Sequence, residues 1–149
     1  MKLHPSSIRR EIAVNFAAPC ELVALFLPAL LAAHHPFVLN VNSGLALVPK
    51  PGSAVYCATK AALDAFSRSL RMQLEGTPVR VLQAFLPLVD TPMTQERGGG
   101  KRVARSVAID ILDGVESEIL DHDIDKVSML RLLARLSPRL AQRVMRRSP

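Results

Sequence analysis

Two short apolar runs, each preceded by a long helical pattern, constrain the fold of this chain most. The runs are FVLNVNSG (residues 37–44) and VRVLQAFLP (residues 79–87). Both are rich in β-branched and apolar residues, which is typical of strands that are covered on both faces. The preceding helical patterns cover residues 7–33 and 54–75. This alternation of helices and strands predicts an α/β fold with a parallel sheet.

Helix-capping and helix-breaking residues mark the ends of the predicted elements. Ser6 or Ser7 is the expected N-cap of the first helix, which we expect to be mostly buried. Pro28 is expected to kink this helix or to end its regular part. Gly76 and Pro78 end the second helix. The remaining predictions are loops at residues 47–53 and 88–102, a helix at 103–116, a short strand at 118–120 and a last helix from residue 126.

Length and composition indicate one globular domain. Of the 149 residues, 49% are apolar and 21% are charged, as in soluble proteins. The longest apolar run (residues 22–33) is shorter than the roughly 20 residues of a membrane span and is predicted to be a buried helix. The N-terminus lacks a signal-peptide pattern, so a cytoplasmic location is expected. Cys20 and Cys57 are predicted to be free thiols.

The positive net charge of +6 is confined to the end of the chain. Residues 1–125 carry 12 basic and 13 acidic residues, whereas residues 126–149 carry 7 basic residues and no acidic one. We therefore expect no nucleic-acid binding, a domain at 1–125 and a basic amphipathic C-terminal helix at 126–149. Arginines recur every four residues on one face of this helix. Its predicted apolar face is formed by Met129, Leu132, Leu133, Leu136, Leu140 and Val144.

Two interactions fit this tail. The helix can dock on the body of the protein with its basic face in solvent, or it can lie on the surface of an anionic membrane. Docking is favoured, because Pro138 interrupts the helix and the aromatic anchors typical of membrane-surface helices are absent from this sequence. A peripheral membrane contact is the alternative.

The sole tyrosine of the chain, Tyr56, lies four residues before Lys60 in SAVYCATKAAL (residues 53–63). Positions i and i+4 of a helix share a face, so the phenol and the ammonium are expected close together. A nearby cation lowers the pKa of a tyrosine from its ordinary value near 10, which makes proton exchange with a substrate hydroxyl or carbonyl feasible. Alternatively, Tyr56 only packs and Lys60 is a solvated charge. Room against this face is expected from the small neighbours Ala54, Ala58, Ala61 and Ala62.

Two further polar residues are expected near this pair. Ser43 ends the first predicted strand, at the edge where open α/β sheets place their ligands. Asn15 lies in the preceding helix, where an amide among apolar residues needs a hydrogen-bond partner. Asn15, Ser43, Tyr56 and Lys60 are therefore the candidate catalytic residues.

With these residues in place, the chain resembles the short-chain dehydrogenases and reductases. NVNSG, YCATKAAL and VRVLQAFLPLVDTPM are similar to that family's active-site strand, its Tyr-x-x-x-Lys helix, and the strand and loop that close over the nicotinamide. The tail is similar to the C-terminal helix of a bacterial subgroup of uncharacterised oxidoreductases. The resemblance implies the C-terminal portion of a doubly wound, Rossmann-like parallel sheet. It also implies an NAD(P)-dependent oxidoreductase that interconverts a carbonyl and an alcohol of a small molecule.

The resemblance further implies a role for each candidate residue. Tyr56 would be the general acid/base, and Lys60 would lower the pKa of its phenol and hydrogen-bond the nicotinamide ribose. Ser43 would hold the substrate oxygen, and Asn15 would fix a water that links Lys60 to solvent.

The nicotinamide loop would complete the cofactor site. Thr91 would meet the carboxamide, with the backbone of Val89 beside it. Leu86 and Pro87 stand where the family has a Pro-Gly turn. The cofactor would be NAD or NADP, with a slight preference for NADP. The cofactor-binding residues would be Tyr56, Lys60, Val89 and Thr91.

The glycine-rich turn that holds the pyrophosphate in this family has no counterpart in the sequence. RGGGK (residues 97–101) follows a polar loop and lacks the G-x-G-x-x-G spacing, so we expect a flexible part of a substrate-covering loop. The chain is expected to carry the last three of about seven family strands, which leaves a sheet edge uncovered. We expect a truncated member that is marginally stable, self-associates through its two long helices, or binds a partner that supplies the missing half, and we favour the homo-oligomer. The alternative function is a catalytically inactive association module.

No metal site is expected. LDHDIDK (residues 120–126) groups carboxylates with His122, but it lacks a recognised ligand loop and is predicted to be a solvated turn. His34 and His35 are adjacent and are predicted to lie in a surface turn.

Overall fold

A three-stranded parallel sheet lies at the centre of the structure, with helices packed on both of its faces. The computed structural model describes residues 4–95 and 98–147. The helices are α1 (Pro5–Ile12), α2 (Ala18–Ala32), α3 (Ala54–Gln73), α4 (Ala104–Glu116), α5 (Val127–Leu136) and α6 (Pro138–Arg147). The strands are β1 (Phe37–Ser43), β2 (Arg80–Leu86), β3 (Val89–Asp90), β4 (Arg102–Val103) and β5 (Asp121–Asp123).

The central strand of the sheet is β2, and both of its neighbours run parallel to it. The strand order is β1-β2-β5. Strand β1 pairs along its whole length, from Phe37 opposite Arg80 to Ser43 opposite Leu86. Strands β3 and β4 form a separate parallel pair within the loop region after β2. The predicted α/β fold with a Rossmann-like parallel sheet is confirmed.

Two apolar clusters hold the helices on the sheet, one on each face. Successive side chains of a strand point to opposite faces, so Val81 and Ala84 of β2 enter different clusters. The cluster towards α2 and α3 contains Val23, Leu70, Leu74, Val79 and Val81. The cluster towards α4 contains Ala84, Val107 and Ile124. Helices on both faces are what a parallel sheet requires, because neither face can be left in water.

Strand β1 lies at an edge of the sheet. Within residues 4–95 and 98–147, it pairs only with β2. The sequence predicts a strand that is covered on both faces, but the side chains of Phe37 and Val41 are exposed. The uncovered sheet edge that the resemblance implies is therefore present, and part of a strand face is uncovered with it.

One wide turn interrupts the first predicted helix. Residues Ala13–Ala17 form a π-helix between α1 and α2. Helix α1 begins after His4, with Pro5 in its first turn, so the prediction of Ser6 or Ser7 as the N-cap is wrong. Proline is well tolerated there because the first N–H groups of a helix have no partner within the helix. Pro28 lies inside α2 and does not end it.

Helix α2 is mostly exposed, so the prediction of a mostly buried helix is wrong. Val23 is its one buried residue, and Leu22, Leu25 and Phe26 face solvent. The helical stretch Pro5–Ala32 contains an 18-residue window with a mean hydropathy of 1.8, so it is long and apolar enough to cross a membrane by length and composition alone. A helix that is apolar all round normally packs on more than one side, and here the sheet covers only one.

The last predicted strand is displaced by three residues. The sequence predicts a strand at 118–120, whereas β5 is Asp121–Asp123, with Asp121 opposite Gln83 of β2. Arginines neutralise its carboxylates: Arg71 lies 2.9 Å from Asp121, and Arg131 lies 2.6 Å from Asp123. The prediction of a solvated turn at residues 120–126 is therefore wrong.

The tail forms two helices, α5 and α6, and docks through a different face from the predicted one. Val127 and Ala141 are buried, and Leu130 lies so close to Gly44 that a Cβ on that glycine would meet it at 3.3 Å. Leu133 of the predicted apolar face is partly buried. The other members of that face are exposed, namely Met129, Leu132, Leu136, Leu140 and Val144.

Candidate active site

Ser43 lies at the carboxyl end of β1, where the chain leaves the sheet. The strand ends in a 3-10 turn at Gly44–Ala46, and the Ser43 hydroxyl oxygen accepts a hydrogen bond from the Leu45 N–H at 3.2 Å. The side chain is buried. Because this bond uses Ser43 as an acceptor, its own proton can be donated to a substrate oxygen.

Tyr56 and Lys60 lie in the first two turns of α3. The Lys60 ammonium is 5.9 Å from the centre of the Tyr56 ring. It donates a hydrogen bond to the carbonyl oxygen of Val41 at 2.9 Å, two residues before Ser43 on β1. Burial lowers the pKa of Lys60, because the charged form loses hydration. Lys60 therefore links the tyrosine helix to the strand that carries Ser43.

Asn15 lies in the π-helix, opposite the same part of α3. Its amide donates to the hydroxyl of Thr59 at 3.3 Å, and that hydroxyl donates to the carbonyl oxygen of Tyr56 at 2.9 Å. Single wide turns of this kind recur at functional sites. Asn15 thus reaches the turn that carries Tyr56 and Lys60, but its described hydrogen bond is to Thr59.

Val89 and Thr91 lie just after β2, at the same edge of the sheet as Ser43. Thr91 caps a short 3-10 turn at Pro92–Thr94 by a reciprocal pair of bonds with Thr94. The Thr94 hydroxyl, which is buried, also lies in hydrogen-bond contact with the carbonyl oxygens of Val89 and Thr91. Thr94 therefore fixes the geometry of the two residues that the sequence predicts to contact the cofactor.

The alanines of α3 do not surround Tyr56 as expected. Residues 54, 58 and 61 fall within about 60° of one another on the helix, whereas residue 56 lies on the opposite side. Ala54, Ala58 and Ala61 instead line a separate groove of about 550 Å³, together with Cys57, two residues after β1 (Leu45 and Ala46), the segment Pro49 to Pro51 and residues of α6. For these three alanines, the prediction that they leave room beside Tyr56 is therefore wrong.

Three groups that contribute to the site were not predicted from the sequence. The Val41 carbonyl is a backbone group and carries no sequence signal. Thr59 and Thr94 carry buried hydroxyls. The role of Thr59 could have been inferred from the sequence, because a threonine inside a helix often bonds to a carbonyl one turn back.

The predicted surface turn at His34 and His35 is exposed. Among the residues that the structure describes, no cluster of three or more His, Cys, Asp or Glu side chains could hold a metal ion.

Comparison with known proteins identifies the family. Residues 1–101 match the family model described as short chain dehydrogenase. This is more than half of the chain, and the matched part contains the strand, helix and loop that carry the site. The chain therefore belongs to the short-chain dehydrogenase family.

Curated relatives agree with this assignment. The uncharacterized oxidoreductase DltE of Bacillus subtilis is 48% identical over 86 residues, which are 58% of this chain and 34% of the relative. Mouse estradiol 17-beta-dehydrogenase 2 is 36% identical over 122 residues, which are 81% of this chain and 29% of the relative. The chain thus spans about a third of the length of these two relatives.

Solved structures show the same fold over almost the whole chain. The crystal structure of a short chain dehydrogenase from Burkholderia cenocepacia in complex with NADP matches with a TM-score of 0.88 at 23% identity. The match covers 98% of this chain and 61% of that one. Serine dehydrogenase from Escherichia coli matches with a TM-score of 0.61 at 26% identity, over 73% of this chain and 47% of that one.

Proposed function

We propose that this chain is an NAD(P)-dependent oxidoreductase that interconverts a carbonyl and an alcohol of a small molecule. The observation that supports this best is the position of Lys60, between the Tyr56 ring at 5.9 Å and the Val41 carbonyl oxygen at 2.9 Å. A cation beside a phenol stabilises the phenolate. The same contact ties Tyr56 to the strand end that presents the Ser43 hydroxyl.

In the proposed reaction, Tyr56 is the general acid and base. The cofactor supplies the hydride, which in reduction is added to the carbonyl carbon. Tyr56 gives its hydroxyl proton to the carbonyl oxygen as the C=O π bond breaks, which leaves an alcohol and a phenolate. Ser43 donates a hydrogen bond to the same oxygen and fixes its position. In oxidation, the Tyr56 phenolate takes the alcohol proton, and the bound cofactor would be the hydride acceptor.

Lys60 and Asn15 support this proton transfer in the proposal. Lys60 stabilises the phenolate and hydrogen-bonds the nicotinamide ribose. Asn15 holds a water that links Lys60 to solvent. Its position supports this role, because its amide reaches Thr59, the residue next to Lys60.

The proposed cofactor is NAD or NADP, with a slight preference for NADP. Its nicotinamide end would be held by Tyr56, Lys60, Val89 and Thr91. The residues fit this end of the cofactor, because the Lys60 ammonium and the Thr91 hydroxyl are donors at one edge of the sheet. The sequence contains no G-x-G-x-x-G turn for the pyrophosphate. That part of the site would be supplied by residues other than these 149.

Tyr56→Phe tests the catalytic role, because it keeps the ring and removes only the hydroxyl. Loss of a general acid/base lowers the rate by roughly 100-fold or more, so turnover of carbonyl substrates with NADPH or NADH should fall by that factor. Lys60→Met should lower it as well, and Lys126→Met, at the start of α5, is its matched control. Unchanged turnover of Tyr56→Phe would contradict the proposal. Absence of NADH and NADPH binding by these 149 residues in calorimetry would show that this chain alone is not a working dehydrogenase.

A second candidate function is an inactive module that associates through α2 and α3. It is supported by the exposed stripe of Leu22, Leu25 and Phe26 on α2, since a helix with two apolar sides needs a second partner. We propose that this stripe forms a homo-oligomer. Leu25→Glu should reduce the oligomer mass in sedimentation velocity, whereas Leu112→Glu, at an exposed leucine of α4, should not. If the wild-type chain is monomeric in sedimentation velocity, the proposal that this stripe forms a homo-oligomer is wrong.

We also propose that residues 1–125 form a partial Rossmann-like domain that works in the cytoplasm. Cys20 and Cys57 are free thiols, as in proteins of reducing compartments. Cell fractionation of the tagged chain tests the location, and secretion of the chain would contradict it, whereas salt-releasable recovery with the membrane fraction would not.

A further inference from the structure

Both C-terminal helices carry large apolar side chains that the fold leaves uncovered. We call the five exposed large apolar side chains of α5 and α6 the tail face. Their exposed fractions lie between 44% and 77%. The tail face consists of Met129, Leu132, Leu136, Leu140 and Val144.

The tail face is exposed although both helices are already docked. In α5, Leu132 and Leu136 lie on the opposite side of the helix from Val127, which is buried against the body. In α6, Ala141 is buried, Leu140 lies about 100° from it around the helix axis, and Val144 lies about 60° from it at the rim of the contact. The contact with the body is therefore made by a different set of side chains. The exposed leucines are not needed for it.

The segment that carries the tail face has charge of one sign. Residues 126–149 include 7 basic residues and no acidic one. Arg131 is bound to Asp123 and lies over the Phe85 ring. The other arginines up to residue 147 make no ion pair among the residues that the structure describes. These are Arg135, Arg139, Arg143, Arg146 and Arg147, and all are exposed.

This charge pattern favours one of two possible binding partners of the tail face, a second copy of the tail or an anionic bilayer. A second copy of the tail would bring arginines against arginines, with no carboxylate of its own tail to neutralise them. An anionic bilayer offers both complements at once, namely phosphate groups for the arginines and acyl chains for the leucines. We propose that the tail face docks the protein on anionic lipid membranes as a peripheral contact.

Co-sedimentation with lipid vesicles tests this proposal on the intact chain. The probes are vesicles of phosphatidylcholine alone and of phosphatidylcholine and phosphatidylglycerol in equal parts. We expect binding only to the anionic vesicles, and release at high salt, because the attraction is screened. The readout is sedimentation, so the result does not depend on whether the proposed oxidoreductase activity exists.

Charge variants separate the contribution of the arginines. Each arginine near an anionic surface contributes about 1 kcal/mol, or about fivefold in binding. Arg139→Gln combined with Arg143→Gln should therefore weaken binding about 25-fold. Arg105→Gln, at an exposed arginine of α4, is the matched control and should change binding by much less.

Apolar variants separate the contribution of the leucines. Leu132→Gln combined with Leu136→Gln changes no charge and should abolish vesicle binding, while circular dichroism shows an unchanged fold because both side chains are exposed. Leu112→Gln on α4 is the matched control. Leu25→Asp tests the other exposed apolar stripe, on α2.

Four results would overturn the proposal. They are no binding to anionic vesicles, equal binding to neutral vesicles, loss of binding with Leu25→Asp but not with the tail variants, and tail-dependent capture of an acidic protein without vesicle binding. The first and last would show that the tail face does not recognise lipid, and the third would assign the contact to α2.

Discussion

Replacing Gly114 by alanine tests how closely α4 approaches β5. A Cβ built on Gly114 would lie 2.7 Å from Cε1 and 2.8 Å from Cγ of His122, with Nδ1 closer still. Optimal contacts between carbon atoms lie at about 3.5–4.0 Å, so the ring or the helix must shift. Overpacking costs about 1–3 kcal/mol, whereas alanine in place of a helical glycine gains about 1 kcal/mol. We therefore expect the free energy of unfolding to fall by about 1 kcal/mol.

A double-mutant cycle isolates the clash from the helix propensity. In the His122→Ala background the ring is gone, so Gly114→Ala should raise the free energy of unfolding by about 1 kcal/mol. His122 Nδ1 has no hydrogen-bond partner among the described residues, so this background loses no bond of that atom. Urea unfolding followed by circular dichroism measures all four proteins. Gly52→Ala is the control, because a Cβ there meets nothing within 4 Å. If Gly114→Ala changes the free energy of unfolding in the same direction in the wild type and in the His122→Ala background, the clash with the His122 ring is refuted.

Three further predictions concern the polar contacts of the site and the tail. Thr59→Val leaves the Asn15 amide without its hydroxyl partner, so urea unfolding should show a loss of about 1–3 kcal/mol, and an unchanged midpoint would contradict this. Burial lowers the pKa of Lys60, so the native chain binds fewer protons than the unfolded chain just below the ordinary lysine pKa of about 10.4. The stability of the wild type relative to Lys60→Met should therefore rise as the pH increases towards that value, and a pH-independent difference would count against it. Arg131→Met removes two hydrogen bonds to Asp123, at 2.6 and 2.7 Å, and should lower the free energy of unfolding by about 2 kcal/mol. An unchanged melting temperature would argue against that value.

The central elements could be predicted because local residues mark their ends. Strands β1 and β2 and helix α3 lie within one or two residues of the predicted bounds. Gly76 after α3 has a positive φ of 82°, a conformation that glycine adopts without strain. Such signals depend on the chain immediately around them, so they can be recognised without knowledge of the packing.

Burial and the position of β5 could not be predicted in this way. Ile119 and Leu120 favour a strand at 118–120, but pairing with β2 places the strand on Asp121–Asp123. The acidic strand is stable because Arg71 and Arg131 reach it from α3 and α5. These partners are distant in sequence. Likewise, the composition of α2 shows that it is apolar but not how much of it the sheet covers.

At the candidate site, the residue types could be predicted more easily than their partners. The spacing of Tyr56 and Lys60 indicates a shared helix face, and the two groups are indeed close. The acceptor of Lys60 is the backbone of Val41, and the partner of Asn15 is Thr59. Both contacts are set by how α3 and the first helix lie against the sheet, which no local pattern encodes.

The π-helix at Ala13–Ala17 adds one residue to the first helix, and this extra residue sets the direction in which the Asn15 amide points. A π-turn holds one residue more than an α-turn, because its hydrogen bonds span five residues instead of four. Deleting Ala17, after Asn15, would close the turn to α-geometry, and the contacts of α2 through Val23 would remain. Everything before the deletion would rotate by about 100° about the helix axis. A single codon in this segment would therefore decide whether Asn15 meets Thr59, with little change in the apolar core.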